Sequence, residues 1–190
     1  MKLLEDRILK DGVVYPGNIL KVGSFLNHQL DVSLLTEMGK EVKRLFEGEK
    51  ITKILTVEAS GIAIATAIGI VMDVPVLFAK KHASKNLAGE VYSSPVHSYT
   101  HGNDYNMVVE QKFLNKEDRI LIVDDFLAVG GALTGLIDIV SQSGAELCGC
   151  AIAIEKGFQG GGDKLRAQGI KIESLAIIES MSDSSLVFRK

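Results

Sequence analysis

The sequence predicts a single α/β domain in which helices cover both faces of a mostly parallel sheet. Apolar runs of strand length alternate with segments of helical period, which is the pattern of the βα units that build parallel sheets. The chain has 190 residues, enough for one substantial core, and no repeat, low-complexity segment or linker divides it. Such sheets bind ligands beyond the carboxyl ends of their strands, so we expect a functional site at that edge.

The first eighty or so residues contain three predicted helices and two predicted strands. Residues 1–10 are predicted to form a short helix, whereas residues 11–28 are irregular or short-stranded because they contain one proline and three glycines. Asp31 is placed to cap a second helix, which has apolar side chains on one face and ends at Gly48. Three further elements are indicated by apolar runs: strand 51–57, helix 61–72 and strand 74–79.

A polar stretch then precedes a second series of strands and helices. Residues 80–106 have no stable period, although Glu90–Val96 could pair as a hairpin with Tyr105–Glu110. A long loop inside a compact domain is usually functional or mobile, so this stretch is a candidate part of the site. The elements predicted after it are strand 119–123, helix 132–143 closed by Gly144, strand 146–155, a short helix 163–167 and strand 170–178.

The segment from Arg119 to Ala132 carries the most informative pattern. Apolar residues lead into Asp124 and Asp125, and a short loop with paired glycines then opens a helix. Backbone N–H groups at the start of a helix suit a phosphate, and two carboxylates at a strand end suit sugar hydroxyls or Mg²⁺. The chain lacks both G-x-G-x-x-G and the P-loop motif, which disfavours the common nucleotide-binding folds. The segment therefore predicts a ribose-phosphate site.

Three more candidate groups follow other strands. Residues 58–61 (EASG) join a strand to a helix and are interpreted either as a helix cap by Ser60 or as a second anion-binding loop. Lys80 and Lys81 follow the next strand, and Lys156 ends the strand 146–155. Since these positions all lie at carboxyl ends of strands, we expect them to converge with the acids on one edge of the sheet.

The segment around Asp124 resembles the phosphoribosyl-pyrophosphate (PRPP) motif of the type I phosphoribosyltransferases. The resemblance implies that Asp124 and Asp125 hold the ribose hydroxyls and that the following loop binds the 5′-phosphate. Val129 and Ala132 stand where that family often has hydroxyl residues, so we expect backbone N–H groups to bind this phosphate. The phosphate loop consists of Ala128, Val129, Gly130, Gly131 and Ala132.

The same resemblance assigns roles to the other turns. The turn containing Ser60 would bind pyrophosphate through its N–H groups, and Lys81 would reach the same group, in some relatives across a dimer interface. Residues 82–106 would form a lid, which excludes the water that would hydrolyse the activated sugar. Mg²⁺ bound with PRPP is the implied cofactor, and a homodimer is the implied assembly.

Residues 17–29 and 154–159 look like the hood of the bacterial xanthine phosphoribosyltransferases. In those enzymes a leucine, an asparagine and a lysine contact the purine, and they map onto Leu20, Asn27 and Lys156. A lysine only donates hydrogen bonds, so it selects carbonyl oxygens and not the amino group of adenine.

The resemblance therefore implies the type I phosphoribosyltransferase fold. Its core would span residues 31–155, and its hood would come from about residues 11–30 and 156–190. The implied reaction transfers the phosphoribosyl group from PRPP to xanthine, which gives xanthosine 5′-monophosphate and pyrophosphate.

Composition limits the partners. The net charge of −3 predicts no general attraction to nucleic acid. The longest apolar stretch, residues 59–72, is shorter than the roughly 20 residues that span a bilayer, and the first residues do not resemble a signal peptide. We therefore expect a cytoplasmic protein without membrane association. Cys148 and Cys150 are interpreted as small buried apolar residues.

Three alternatives to the main interpretation stay open. The first is a phosphoribosyltransferase for guanine or hypoxanthine, and the second is an adenine-type enzyme, against which Lys156 and Asn27 argue. The third is a PRPP-sensing purine regulator, although no basic recognition helix is visible. His97 and His101 have the spacing of a helical metal pair, but the neighbouring proline and glycine argue against a helix, so no metal site is predicted there.

Overall fold

A computed structural model of the chain describes residues 1–81, 89–98 and 103–190. The described elements are, in chain order, α1 (Lys2–Asp11), β1 (Val13–Tyr15), β2 (Ile19–Lys21), a π-helical turn (Gly23–Asn27), α2 (Val32–Leu45), β3 (Lys53–Val57), α3 (Ser60–Met72), β4 (Val76–Ala79), β5 (Val91–Ser98), β6 (Asn103–Glu110), a 3₁₀ turn (Gln111–Phe113), β7 (Arg119–Leu127), α4 (Gly131–Ser143), β8 (Glu146–Lys156), a 3₁₀ turn (Gly157–Gln159), α5 (Gly161–Ala167), β9 (Ile172–Met181) and β10 (Leu186–Phe188).

The centre of the fold is a six-stranded sheet in the order β10-β9-β8-β7-β3-β4. The pairs from β9 through β4 are parallel, and β10 joins β9 antiparallel at one edge. Two small antiparallel hairpins, β1-β2 and β5-β6, lie outside this sheet. The predicted α/β class with a mostly parallel sheet is confirmed.

Two apolar layers enclose the sheet. On one face α1, α2, α3 and the segment from Leu20 to Leu26 pack against side chains that include Leu121 and Val123. On the other face α4 and the β5-β6 hairpin pack against side chains that include Ile120 and Ile122. Since successive strand residues point to opposite faces, the continuous apolar run of β7 supplies both layers.

Most predicted elements are confirmed, with shifts at their ends. Asp31 caps α2 as predicted, because its Oδ1 accepts a hydrogen bond from the Leu34 N–H at 3.0 Å. The helix ends at Leu45, before the predicted end at Gly48. The hairpin is also confirmed, with Val91 opposite Glu110 and Val96 opposite Tyr105.

One strand boundary predicted near the site is wrong, and one of the two interpretations of Ser60 is excluded. The strand predicted to stop at residue 123 continues to Leu127, because β8 pairs with this extension and Asp124 lies opposite Ile152. Asp124 and Asp125 are therefore held by strand pairing and do not lie in a free turn. Ser60 does not cap α3, since Ala59 occupies the capping position and no side-chain hydrogen bond is made there.

Part of the predicted lid lies outside the described residues, namely residues 82–88 and 99–102, which include His101. Its described part belongs to the β5-β6 hairpin, which packs against α4 and is also joined to the end of β4 by the backbone bridge between Lys80 and Val108. Within the described part of the chain, no helix combines the length and the apolar character that crossing a membrane requires.

Candidate active site

A cavity of about 270 Å³ opens at the carboxyl ends of β3 and β7. It brings together the turn after β3, the cation that follows β4, the acids of β7 and the predicted phosphate loop. Its walls consist of Val57, Glu58, Ala59, Ser60, Gly61, Lys81, Val96, Tyr105 and residues 124–133.

The two acids differ in their environment. Asp124 is only 6% exposed, and its Oδ1 accepts a hydrogen bond from the Asp125 N–H at 2.9 Å. Asp125 Oδ1 accepts a bond from the Phe126 N–H at 3.0 Å. Burial, reinforced by the neighbouring Asp125 carboxylate, raises the pKa of Asp124 well above its usual range. The protonated form of Asp124 is therefore favoured in the free protein, and hydroxyl donors or a cation would favour its ionised form.

The phosphate loop connects β7 to the start of α4. Gly130 has a φ of +92°, a left-handed conformation that favours glycine, and it precedes the first residue of the helix. The carbonyl of Gly130 accepts bonds from both the N–H and the hydroxyl of Thr134, each at 2.9 Å. No side chain among the described residues caps this helix. The uncapped N-terminus and its positive dipole end are suited to an anion.

The side chains of the phosphate loop add no polar group. The loop reads Ala-Val-Gly-Gly-Ala, and Val129 is 44% exposed at the cavity wall. A phosphate held here would therefore depend on backbone N–H groups, as the sequence predicts.

The turn after β3 forms the opposite wall. Its Glu58–Ala59 peptide bond is cis, and Glu58 Oε1 accepts a hydrogen bond from the Lys81 N–H at 2.7 Å. Gly61 packs so closely that a methyl group there would overlap Thr56 Oγ1 and lie 3.2 Å from Asp124 Oδ1. The turn, the acid and the segment after β4 therefore form one packed unit.

Of the two lysines that follow β4, the structure places Lys81 at the cavity. Lys80 pairs with Val108 through its backbone, and its side chain is not among the cavity walls. Lys81 Nζ lies 5.6 Å from the centre of the Tyr105 ring. The charge of Lys81 acts to lower the pKa of Asp124, but burial and Asp125 outweigh it.

Two of the three residues predicted to contact a purine, Asn27 and Lys156, lie beside the cavity. Asn27 Nδ2 donates to Asp125 Oδ2 at 3.3 Å. Lys156 Nζ donates to the Asn18 carbonyl at 2.8 Å and lies 5.7 Å from the centre of the Phe126 ring. Both side chains thus meet residues that line the cavity. Burial lowers the pKa of Lys156.

Leu20 is different in kind, because it is a core residue. It is 7% exposed and belongs to the same apolar layer as α1 and α2. In this structure it pairs with Val14 across the β1-β2 hairpin.

Several residues of this site were not identified from the sequence. Thr56 is fully buried in β3, and its hydroxyl has no hydrogen-bond partner among the described residues. Tyr105 contributes to the cavity wall from the hairpin, and burial, followed by the charge of Asp124, raises its pKa. A hydroxyl residue inside an apolar strand was the available signal for Thr56. The Asn18 carbonyl carried no such signal, because backbone groups are the same at every residue.

Comparison with known proteins gives a consistent result. The domain model described as "Phosphoribosyl transferase domain" matches residues 22–179. A protein of Lachnoclostridium phytofermentans named xanthine phosphoribosyltransferase is 58% identical over 191 residues, which covers 100% of this chain and 98% of that protein. A Clostridium botulinum protein named xanthine phosphoribosyltransferase 2 is 56% identical over 190 residues, and the match covers 100% of both chains.

Solved structures show the same fold at low sequence identity. The adenine phosphoribosyltransferase of Giardia lamblia, solved with 9-deazaadenine, superposes with a TM-score of 0.78 at 19% identity, covering 94% of this chain and 98% of that one. The adenine enzyme of Saccharomyces cerevisiae superposes with a TM-score of 0.75 at 20% identity, covering 92% of this chain and 99% of that one.

Proposed function

The chain belongs to the phosphoribosyl transferase family, whose domain covers residues 22–179, and from this premise we propose that it transfers the 5-phosphoribosyl group from PRPP to xanthine. The products are xanthosine 5′-monophosphate and pyrophosphate, a step of purine salvage. Relatives that carry the name xanthine phosphoribosyltransferase match the whole chain at 52–58% identity, which supports this substrate. The structural observation that carries the proposal is the position of Asn27 and Lys156 beside Asp125 and Phe126, at the edge of the phosphate-loop cavity.

PRPP is proposed to bind with its three charged or polar parts in three places. The 5′-phosphate occupies the loop of residues 128–132, where the uncapped start of α4 supplies N–H groups. Asp124 and Asp125 accept hydrogen bonds from the ribose hydroxyls. The pyrophosphate lies against the turn that contains Ser60, with Lys81 as its cation. This arrangement is supported by the cavity, whose walls include every one of these groups.

The purine is proposed to lie between the hood and Phe126. The Lys156 ammonium can only donate, so it binds a purine carbonyl oxygen and replaces the Asn18 carbonyl as its partner. Asn27 can donate and accept, which suits a ring edge that presents both N–H and C=O groups. Leu20 would contribute apolar contact from beneath the hood.

Mg²⁺ is proposed to accompany PRPP. Paired carboxylates are suitable oxygen donors for a hard cation, and Asp124 and Asp125 both line the cavity. The described residues contain no group of three or more His, Cys, Asp or Glu side chains arranged as ligands, so substrate oxygens and water would complete the coordination. When bound, the ion would neutralise the negative charge of the leaving pyrophosphate.

The chemistry then depends mainly on positioning and electrostatics. As the bond to pyrophosphate breaks, the sugar carbon becomes oxocarbenium-like, and the nearby carboxylates of Asp124 and Asp125 stabilise positive charge. The phosphate loop fixes one end of the sugar while Lys156 and Asn27 fix the base, so that the purine nitrogen faces the sugar carbon.

We also propose a homodimer and a cytoplasmic location. Helix α3 is almost wholly apolar, its Ile70 is 77% exposed, and Phe78 is 39% exposed on the edge strand β4, so a second copy could cover apolar side chains of both elements. Cys148 and Cys150 are buried free thiols, which fits a reducing compartment. Light scattering after gel filtration tests the dimer, and the Ile70→Asp variant is expected to be monomeric.

The experiment that tests the function measures pyrophosphate release with PRPP and Mg²⁺ in four parallel reactions containing xanthine, guanine, hypoxanthine or adenine. We expect a strong preference for xanthine. Turnover of adenine would overturn the role proposed for Lys156 but would not affect the assignment of the fold. Tight PRPP binding without turnover of any base would identify a sensor and refute the enzyme.

A further inference from the structure

A fully buried carboxylate lies directly behind the site. Glu155 precedes Lys156 on β8 and has 0% exposure. Its two oxygens accept bonds from the Arg166 fork at 2.8 and 2.6 Å, and the Ser174 hydroxyl also donates to it. Burial acts to raise the pKa of Glu155, but the bonds from Arg166 and Ser174 outweigh burial and lower it. Glu155 is therefore a buried anion, and it is not among the residues that line the cavity.

Helix α5 connects this ion pair to the phosphate loop. On one side Gly162 packs against Glu155 so closely that a methyl group there would overlap Glu155 Oε1. On the other side Gly161 donates its N–H to the Ala128 carbonyl at 3.2 Å. A methyl group on Gly161 would lie 2.6 Å from Val129 C and 2.9 Å from Gly130 N. The α5 backbone at these two glycines thus lies directly between the buried carboxylate and the loop, with no side chain separating them.

Strand pairing ties the same two regions together. Leu127, the last residue of β7, lies opposite Glu155 on β8. The phosphate loop is therefore supported at its start by β8 and along its back by α5, and Glu155 takes part in both supports.

We propose that Glu155 and Arg166 are positioning residues for the 5′-phosphate of PRPP, because their ion pair holds α5 against the phosphate loop. This inference rests on the proposed function of that loop. The loop has no hydroxyl side chain, so the aim of its backbone N–H groups depends on the backbone behind it. A buried ion pair seldom adds net stability over an apolar pair of similar volume, so its contribution here is to geometry.

The test uses Glu155→Gln, which keeps the volume of the side chain and removes its charge. Arg166 remains 28% exposed at its side chain, so water can solvate it in the variant. The matched control is Glu179→Gln, because Glu179 accepts a 2.6 Å bond from Arg189 in the outer part of the same ionic network but is 53% exposed. Calorimetry measures the Kd of ribose 5-phosphate and the Kd of magnesium pyrophosphate for each purified protein.

We expect Glu155→Gln to weaken the binding of ribose 5-phosphate by roughly ten- to a hundredfold, because hydrogen bonds to a charged group would be misaligned. The Kd of magnesium pyrophosphate should stay unchanged. Glu179→Gln should change neither constant. Equal weakening of both ligands, an unchanged ribose 5-phosphate Kd, or the same effect in Glu179→Gln would each overturn the proposal.

A second variant decides the matter if Glu155→Gln does not fold. Gly161→Ala leaves the ion pair in place and adds a methyl group that overlaps the loop backbone. It should therefore weaken the binding of ribose 5-phosphate without changing that of magnesium pyrophosphate. An unchanged Kd for ribose 5-phosphate overturns the proposal. The wild-type protein separates this inference from the proposed function. Binding of ribose 5-phosphate without turnover of xanthine would refute the function alone, whereas absence of binding would refute both.

Discussion

Replacing Lys156 with methionine tests the base-recognition part of the site. Methionine keeps an unbranched apolar stem and removes only the ammonium group. In the free protein that group donates to the Asn18 carbonyl at 2.8 Å, and Asn18 is exposed, so water can take the place of the ammonium in the variant. The fold should therefore tolerate the change.

The expected magnitude follows from the bonds that Lys156 makes. The ammonium has three donors, and one of them satisfies Asn18, so exchanging that partner for a purine oxygen requires no rebuilding of the site. A hydrogen bond from a charged group contributes about 1.5–3 kcal/mol, which corresponds to roughly ten- to a hundredfold in kcat/KM. We expect this loss for xanthine and no comparable change in the KM of PRPP.

The assay compares kcat/KM for xanthine and the KM of PRPP in wild type, Lys156→Met and a control, Lys171→Met. Lys171 is a suitable control because its Nζ also lies over a ring, 4.5 Å from the centre of Phe46, and pairs with Glu49 outside the cavity. The reasoning is refuted if Lys156→Met changes only the KM of PRPP and keeps the wild-type ranking of the bases.

Three further predictions concern the acids and the packing around them. Asp124→Asn should raise the free energy of unfolding of the ligand-free protein at pH 7, because it removes a carboxylate that burial disfavours. It should also lower kcat by roughly ten- to a hundredfold, because it removes the charge proposed to bind the ribose. Since the pKa of Asp124 is raised in the folded state, the wild type should lose stability as pH rises from the ordinary aspartate range through that pKa. Urea titrations at several pH values should therefore show that the free energy of unfolding depends less on pH in the variant. Gly61→Ala should destabilise the fold by about 1–3 kcal/mol through overlap with Thr56, and an unchanged melting temperature would contradict the packing described for this turn. Asp31→Ala should cost about 0.5–2 kcal/mol in denaturant unfolding by removing the cap of α2, with kcat/KM unchanged because Asp31 lies outside the cavity.

Local patterns were sufficient to predict most of the sheet and its helices. The apolar run before Asp124 and the cap at Asp31 report short-range physics that a sequence displays directly. The extension of β7 through Asp125 could not be predicted in this way, because it depends on hydrogen bonds to β8 and not on the polarity of its own residues. Tertiary pairing overrides the local preference there.

The candidate site also combines features that the local sequence displays with features that depend on tertiary contacts. The acids and the phosphate loop could be placed on one edge of the sheet from strand order alone, and the cavity brings them together. The placement of Lys81 in preference to Lys80 follows from the backbone bridge to Val108, which pairs positions far apart in the chain. The link from Glu155 through α5 to the loop could not be predicted, because it depends on contacts of Gly161 and Gly162 that only the folded structure shows.

The phosphate loop has a consequence for how the protein can be altered. Since Ala128, Val129 and Ala132 offer no titrating or hydroxyl group, any change of phosphate affinity with pH should come from the phosphate itself and from the neighbouring Asp124. The loop offers no hydroxyl for phosphorylation, and exchanges among small apolar residues at Ala128, Val129 and Ala132 leave its backbone donors in place. Under the proposed function, recognition of the sugar phosphate would depend on the conformation of the backbone, so base preference could be engineered at Asn27 and Lys156 without redesign of the phosphate loop.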